Sequence, residues 1–394
     1  MSNKSSQNSP TVLLVRNAAR GDFGGAERYP VSLANLIQKE GSYTPIIVTR
    51  SQKLLEYAES NTVSTIRGWW LGWQNWSGIR TLLFPFYIVW QLTLTVWYIS
   101  LLLRTQASAI HLQSRDDFIA GTLAAKLLKR TSVWTDHMDL RYIFQNIAKP
   151  FKNPVGKLVF WSAKRADHII IISDNEYRLI TAHCKNPHAL DTQITVIKNG
   201  VVDTRDQLTR QPSPKNEVHL CLASRMVKNK GVGDAIQAFL SLDSPHAYLD
   251  IYGDGADIEA FKQLAAENSH IRFYGHTDNP LQAIYNSDVF ILPSYQEGLS
   301  IALLEATMLG ATIIASDVDS NPEVIDDKSN GLLVPPRQPN ELAAAMQALI
   351  ENPQLRARYG NAARATYEQT FNLETIVRTK ILPLYKTRAR QEDL

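Results

Sequence analysis

The stretch EGLSIALLE, residues 297–305, carries two glutamates eight positions apart around an almost wholly apolar segment. Glu297 follows a Pro-Ser-Tyr-Gln loop, whereas Glu305 lies inside a helical pattern. If Glu297 and Gly298 enter the helix, Gly298 and Glu305 are about two turns apart and share a face. The eight steps then span on the order of 12 Å, against about 5 Å for the paired carboxylates of a retaining glycosidase. Helical side chains lean toward the N-terminus, so Glu305 leans toward the end where Glu297 stands. The spacing excludes a hydrolytic pair and suits one extended ligand held at two points, with sugar hydroxyls as donors to both carboxylates. The plain alternative is a glutamate complementing the helix dipole and a solvated Glu305, with Ile301, Leu304 and Met308 forming the packing face.

Other candidates stand at the exits of apolar runs. ASRMVKNKG (223–231) clusters Arg225, Lys228 and Lys230 just before a helical pattern, a charge set suited to a diphosphate. The turns YGDG (252–255) and YGH (274–276) offer glycines where a nucleotide could lie against backbone. In RNAARGDFGGAERYP (16–30), Gly24 and Gly25 open a helix whose free N–H groups could meet a phosphate. Arg16, Arg20, Asp22 and Arg28 around them read as solvated surface. His137 in TDHMD (135–139) closely follows an apolar run. DVD (317–319) has the Asp-x-Asp form of some sugar-transferase metal sites, but with no third ligand nearby it reads as a turn.

The elements that must position these residues are legible as short apolar runs separated by helical periodicity. TVLLV (11–15), TPIIVT (44–49), SAIHL (108–112), SVWT (132–135), HIIII (168–172) and TVI (195–197) read as buried strands, with helices at 26–39, 117–129 and 175–183. The polar, proline-bearing segment 204–217 reads as a linker. The alternation then resumes, with strands at 219–224, 247–252, 271–274, 289–293, 312–316 and 331–334. Helices are expected at 232–241, 257–267, 279–286, 299–309, 321–326, 339–351 and 353–369. This is α/β material in two doubly wound parallel-sheet domains, whose ligands bind at the carboxyl ends of strands and whose mutual cleft is the first place to seek a site.

Composition sets the outer bounds. With 394 residues, the chain is too long for one ordinary core. Residues 1–10 read as an unstructured terminus, with no charged-then-apolar start that would mark a secretory signal. Cys184 and Cys221 make neither a disulfide framework nor a zinc motif, so a reducing compartment is expected. Residues 1–203 hold 23 basic against 14 acidic side chains, a formal +9, while 204–394 come to −6. The first half therefore faces something anionic, nucleic acid or a membrane surface by sign alone. RGWWLGWQNW (67–76) packs four tryptophans into eight residues, and 81–103 runs 23 residues without a charge. Three readings stand for 81–103: a bilayer span, a surface helix dipping into one leaflet, or a buried or dimer-forming helix.

GGAER (24–28), NGVVD (199–203), SRMVKNKG (224–231), GDG (253–255), PSYQEGLSIALLEATMLG (293–310), ASDV (315–318) and NGLLVPP (330–336) together resemble glycosyltransferase family 4. The match is colinear from about 11 to 371, with Glu-x7-Glu its most specific part. The resemblance implies a GT-B fold, two Rossmann-like domains facing across a cleft, and a retaining, metal-independent transfer from a nucleotide-diphosphate sugar. The domains would be 11–203 on the acceptor side and 218–371 on the donor side, with 372–394 folding back on the first. It implies that Glu297 holds hydroxyls of the transferred sugar and that Glu305 binds the ribose. Arg225 and Lys230 would meet the diphosphate and Gly25, with Gly24, the distal phosphate. His137 would stand near the reacting sugar. Gly253, Gly275, His276, Gly298, Leu299 and Ser300 would lie along the donor.

No cofactor is implied beyond the donor substrate. Segment 67–103 and the basic first domain favour an anionic membrane surface, hence a lipid-linked or membrane-surface glycan as acceptor and a peripheral position on the cytoplasmic face. The rival readings are a nucleotide-sugar epimerase of the same architecture, which would need further acid and base carboxylates, and an inactive nucleotide-sugar-binding partner of another transferase. A nucleic-acid partner is not expected, because the charge asymmetry alone would support it.

Overall fold

The structure is a computed structural model that describes residues 9–17, 25–69, 83–137, 140, 144, 153–183 and 187–386, without the side chains of 25–27, 183, 187 and 188. Every strand pair among them is parallel, as near-continuous Val/Ile/Leu runs buried on both faces require.

The chain divides into two compact units, residues 1–197 with 374–394, and residues 198–373. Unit 1 alternates β1 (Thr11–Val15), α1 (Gly25–Glu40), β2 (Thr44–Thr49), α2 (Gln52–Ser60), β3 (Thr65–Arg67), α3 (Phe84–Arg104) and β4 (Ala107–Leu112). It continues through α4 (Phe118–Leu127), β5 (Thr131–Asp136), α5 (Pro154–Ala163), β6 (His168–Ile171), α6 (Asp174–His183) and β7 (Ile194–Val196). The strand order is β3-β2-β1-β4-β5-β6-β7. The strand order reverses between β1 and β4, which opens a ligand crevice at their carboxyl ends.

Unit 2 contains β8 (Val218–Ala223), α7 (Val232–Leu240), β9 (Ala247–Tyr252), α8 (Ile258–Leu264), β10 (Ile271–Gly275), α9 (Pro280–Asn286) and β11 (Val289–Leu292). It closes with α10 (Ile301–Leu309), β12 (Ile313–Ser316), β13 (Leu332–Val334), α11 (Pro339–Glu351) and α12 (Pro353–Thr366). Its order, β10-β9-β8-β11-β12-β13, repeats that of the first sheet, with its crevice between β8 and β11. The polar segment 204–217 lies along this unit: Gln211 donates its N–H to Asn286 Oδ1 at 2.9 Å, and Ser213 its hydroxyl to Asp288 at 2.6 Å.

The apolar-run pattern does not reveal β3, α2 or α5. β3 is a three-residue edge strand with no fully buried position, and α2 commits only Leu54, Leu55 and Ala58 to the core. Segment 321–326 forms only a single 3-10 turn, Asn321–Glu323, rather than the expected helix.

The uncharged segment around 81–103 becomes α3, the crossover from β3 to β4. One side packs Tyr87, Leu94, Tyr98, Leu101 and Leu102 into the core against α4 and β4. The other turns Phe86, Val89, Leu92, Val96 and Leu103 outward, with Phe86, Val89 and Val96 each more than 60% exposed. Among the described residues it is the one helix long and apolar enough to cross a membrane. A spanning helix would pull its core side out of the sheet layer, so the bilayer-span reading does not fit this packing. Trp69 is exposed at the start of the segment, whereas Trp70, Trp73 and Trp76 lie outside the described residues.

The C-terminal stretch binds to unit 1 through specific side chains. Lys39 pairs with Glu374 at 2.8 Å, and Tyr385 Oη meets His111 Nδ1 at 2.7 Å.

Candidate functional site

In unit 2 loops leave the carboxyl ends of β8, β9, β10, β11 and β12, and hydrogen bonds lock them together. Ser224 donates its N–H to Tyr252 O, Met226 to Asp254 O and Gly253 to Gly275 O, at 3.1, 2.9 and 2.7 Å. Gly253 has φ +133°, and a Cβ there would stand 1.8 Å from Ser224 O. Gly231 has φ +66°, and a Cβ there would stand 1.9 Å from Pro293 O. These glycines are required where backbone meets backbone, so their role is close approach as well as dihedral freedom. Tyr295 closes the set: its N–H reaches Asn229 O at 2.9 Å, its hydroxyl reaches Asp234, and the Arg337 guanidinium lies over its ring at 4.5 Å. Burial first, then Asp234, pushes its phenol up to about 12.

Within this frame Lys230 and Glu297 meet at 2.6 Å. The pair is enclosed, with side chains 17% and 9% exposed. Arg225 lies exposed at the exit of β8. Together they make a positively charged mouth with one carboxylate inside it.

Glu297 does not enter a helix. Ser300 adopts an extended conformation (φ −67°, ψ 117°) as the N-cap, and α10 begins at Ile301. Gly298 therefore lies in the loop, and the expected stacking of Glu305 over Gly298 along one helix face is not realised. What holds Glu297 is tertiary: its N–H donates to Asp319 Oδ2 at 2.9 Å. Asp319 sits at φ +46°, a left-handed conformation that aspartate tolerates better than most residues. The Asp-x-Asp turn thus carries a positioning contact for Glu297, and the other aspartate, Asp317, donates its backbone N–H to Val334 O at 2.8 Å.

The remaining unit 2 candidates fall around this mouth. Leu299 and Ser300 are buried and Gly298 is exposed. Glu305 is half-buried on α10, five residues beyond the N-cap. Gly275 has φ +72°, and a Cβ there would meet no atom within 4 Å, so that turn borders open space. His276 is exposed with Asp278 3.5 Å from its Nε2. Cys221 is a buried free thiol whose pKa burial raises, and Cys184 lies outside the described residues.

In unit 1 the crevice gathers Arg16 and Asn17 after β1, Gln113 and Ser114 after β4, and His137 after β5. Asn17 donates to Asp117 at 2.6 Å, Tyr98 donates to the same carboxylate at 2.9 Å, and Arg16 donates to Gln113 O at 2.7 Å. His137 packs edge-on against Tyr29 of α1, with ring centroids 4.9 Å apart. Burial first, then Arg16 and His111, holds its imidazole well below the usual histidine range, so it stands neutral at pH 7. Behind it His111 bridges Tyr385 and Thr135, both at 2.7 Å, and burial pushes His111 down to about 3. Gly25 is the first residue of α1, Arg28 on that helix is exposed, and Gly24, Arg20 and Asp22 lie outside the described residues.

The sequence leaves two residues of these crevices without a role, Asp319 and Gln113. Asp319 is legible only as part of a turn, because its partner is 22 positions away and met only in the fold. Gln113 could have been found by the rule that singles out His137, a polar residue directly after a buried strand.

Comparison with known proteins divides the chain in two. Residues 23–205 match the family described as Glycosyltransferase Family 4, and residues 203–366 that described as Glycosyl transferases group 1. An uncharacterized glycosyltransferase of Methanocaldococcus jannaschii is 30% identical over 263 residues, 61% of this chain and 65% of that protein. The phosphatidyl-myo-inositol mannosyltransferase of Mycolicibacterium smegmatis is 33% identical over 147 residues, 36% of this chain and 37% of that protein. The chain thus spans between about a third and just under two thirds of these curated relatives. Anabaena HepE, crystallised with UDP, superposes with a TM-score of 0.70 at 17% identity, covering 95% of this chain and 99% of that one. That likeness shows the GT-B fold.

Proposed function

We propose, from the premise that this chain belongs to the group 1 and family 4 glycosyltransferases, that it moves a hexose from a nucleotide-diphosphate sugar to an acceptor with retention. The observation that carries this reading is the enclosed Lys230–Glu297 pair at the mouth of the locked loops. With a donor bound, Lys230 and Arg225 stabilise the leaving diphosphate, and Glu297 turns to the sugar hydroxyls. Catalysis is then mainly electrostatic, supplied by groups fixed before reaction. In this scheme Glu297 is engaged with the sugar hydroxyls and no carboxylate serves as a nucleophile, so a front-face displacement through an oxocarbenium-like state accounts for retention. Glu305 takes the ribose, and neutral His137 offers the sugar a hydrogen bond without a charge.

The donor test is a thermal-shift series with UDP, GDP, ADP and their glucose derivatives. One nucleotide should raise the midpoint, because a ligand at 100 times its Kd adds about 2.7 kcal/mol. No shift with any nucleotide refutes the reading.

For the acceptor we propose a lipid-linked or membrane-surface glycan, reached by a protein docked peripherally on the cytoplasmic leaflet. The outward stripe of α3 supports this: each such side chain contributes about 1.5–3 kcal/mol when removed from water. The +9 first half adds attraction to anionic lipid. Val89→Asp with Leu92→Asp and Val96→Asp should weaken binding to phosphatidylglycerol vesicles at least about 100-fold, with the melting temperature unchanged since all three point outward. Undiminished vesicle binding refutes the docking face.

A further inference from the structure

We infer that Gln113 binds a carbohydrate hydroxyl beside His137 in the unit 1 crevice, an inference that rests on the transferase reading above. Gln113 is 1% exposed, and among the described residues neither its Oε1 nor its Nε2 has a hydrogen-bond partner. His137 Nε2 is sealed from solvent and equally unpartnered among them. Leu112 pairs with Trp134, so Gln113 is level with Thr135 and two positions short of His137. Side chains alternate along a strand, which puts Gln113 on the face of His111, and His137 on the face of Thr135. These are one face, because His111 and Thr135 touch at 2.7 Å. Gln113 and His137 thus present their unpartnered polar atoms to the same side of neighbouring strand ends, on strands about 5 Å apart, with His137 two residues further along.

Folding does not explain the amide. The backbone of Gln113 is fully engaged, its N–H on Val15 O at 2.8 Å and its carbonyl under Arg16. The polar side chains around it, Asn17, Ser114 and Asp117, are satisfied among themselves. A buried amide with no partner is a cost that leucine or methionine would avoid. An amide donates and accepts at once, as a sugar hydroxyl does, and the neutral imidazole beside it adds a second uncharged group. A polyol matches this pair better than a phosphate or a carboxylate. The sugar of the donor and that of the acceptor are the two sources of such hydroxyls.

Gln113→Met keeps the volume and removes both open polar atoms. The melting temperature of the free protein should hold or rise. A fall of more than about 5 °C would reveal a structural partner and overturn the inference. Transfer should drop about 3- to 10-fold, the loss of one neutral hydrogen bond. It is measured with whichever of UDP-, GDP- or ADP-glucose, -mannose or -N-acetylglucosamine stabilises the protein. If the extra stabilisation of the nucleotide sugar over its bare nucleoside diphosphate is lost, the donor sugar is the occupant. If that increment survives while transfer falls, it is the acceptor. Unchanged transfer with an unchanged increment overturns the assignment. Absence of stabilisation of the wild type by any nucleotide shows instead that the transferase reading has failed, and this inference fails with it.

Discussion

Glu297→Ala is expected to lower transfer by about two to three orders of magnitude, in the range seen when one preorganised group is removed from a charged site. Nucleotide binding should change little, because the carboxylate faces the sugar in the proposed complex and its partner Lys230 remains for the diphosphate. The free protein should lose some stability as well. Truncation strands a Lys230 ammonium that is mostly enclosed, although its residual exposure keeps the loss below that of a fully buried pair. Glu305→Ala should do the reverse, weakening the nucleotide about tenfold and leaving turnover of bound donor largely intact. Initial rates and nucleotide titrations on both variants check this. Equal, small losses in the two would refute the division of labour between the glutamates.

The second large effect is expected from Gly231→Ala, a single methyl group in a position remote from solvent. At φ +66° a side chain is strained by about 1–2 kcal/mol. The greater obstacle is Pro293 O, 1.9 Å from where the Cβ must go. That carbonyl belongs to the loop that leads into Glu297, while Gly231 follows Lys230 and caps α7. The two loops must part to admit the methyl, so a total loss of about 3 kcal/mol or more is expected, with the nucleotide-induced thermal shift lost too. Gly298→Ala is the control: no atom lies within 4 Å of its Cβ position, and it should cost little. A Gly231→Ala variant with wild-type melting and wild-type nucleotide response would show that the loops are not locked as described.

These variants probe what a linear reading can and cannot locate. Apolar runs such as TVLLV and VFILP announce strands because both faces of a parallel sheet are buried, and the pattern then needs no partner to be recognised. β3, with three residues and no buried position, carries no such mark. Lys230 and Glu297 were legible as charges at strand exits, but their union at 2.6 Å across 67 positions was not. Periodicity likewise runs on through Gly298 into EGLSIALLE, whereas the helix starts only at Ile301, where the chain leaves its extended cap.

The sequence by itself determined the two sheets, most of their strands, and which strand exits carry charge, because burial and periodicity are local properties of the chain. It also placed an apolar, uncharged helix in the basic half. Only the tertiary structure decided how those residues act. It set Asp319 under the N–H of Glu297, pressed Gly231 against Pro293, turned one side of α3 to the core and the other outward, and left the Gln113 amide buried without a partner among the described residues. Each of these depends on atoms distant in sequence meeting at hydrogen-bond or van der Waals range, and no local pattern encodes such a meeting.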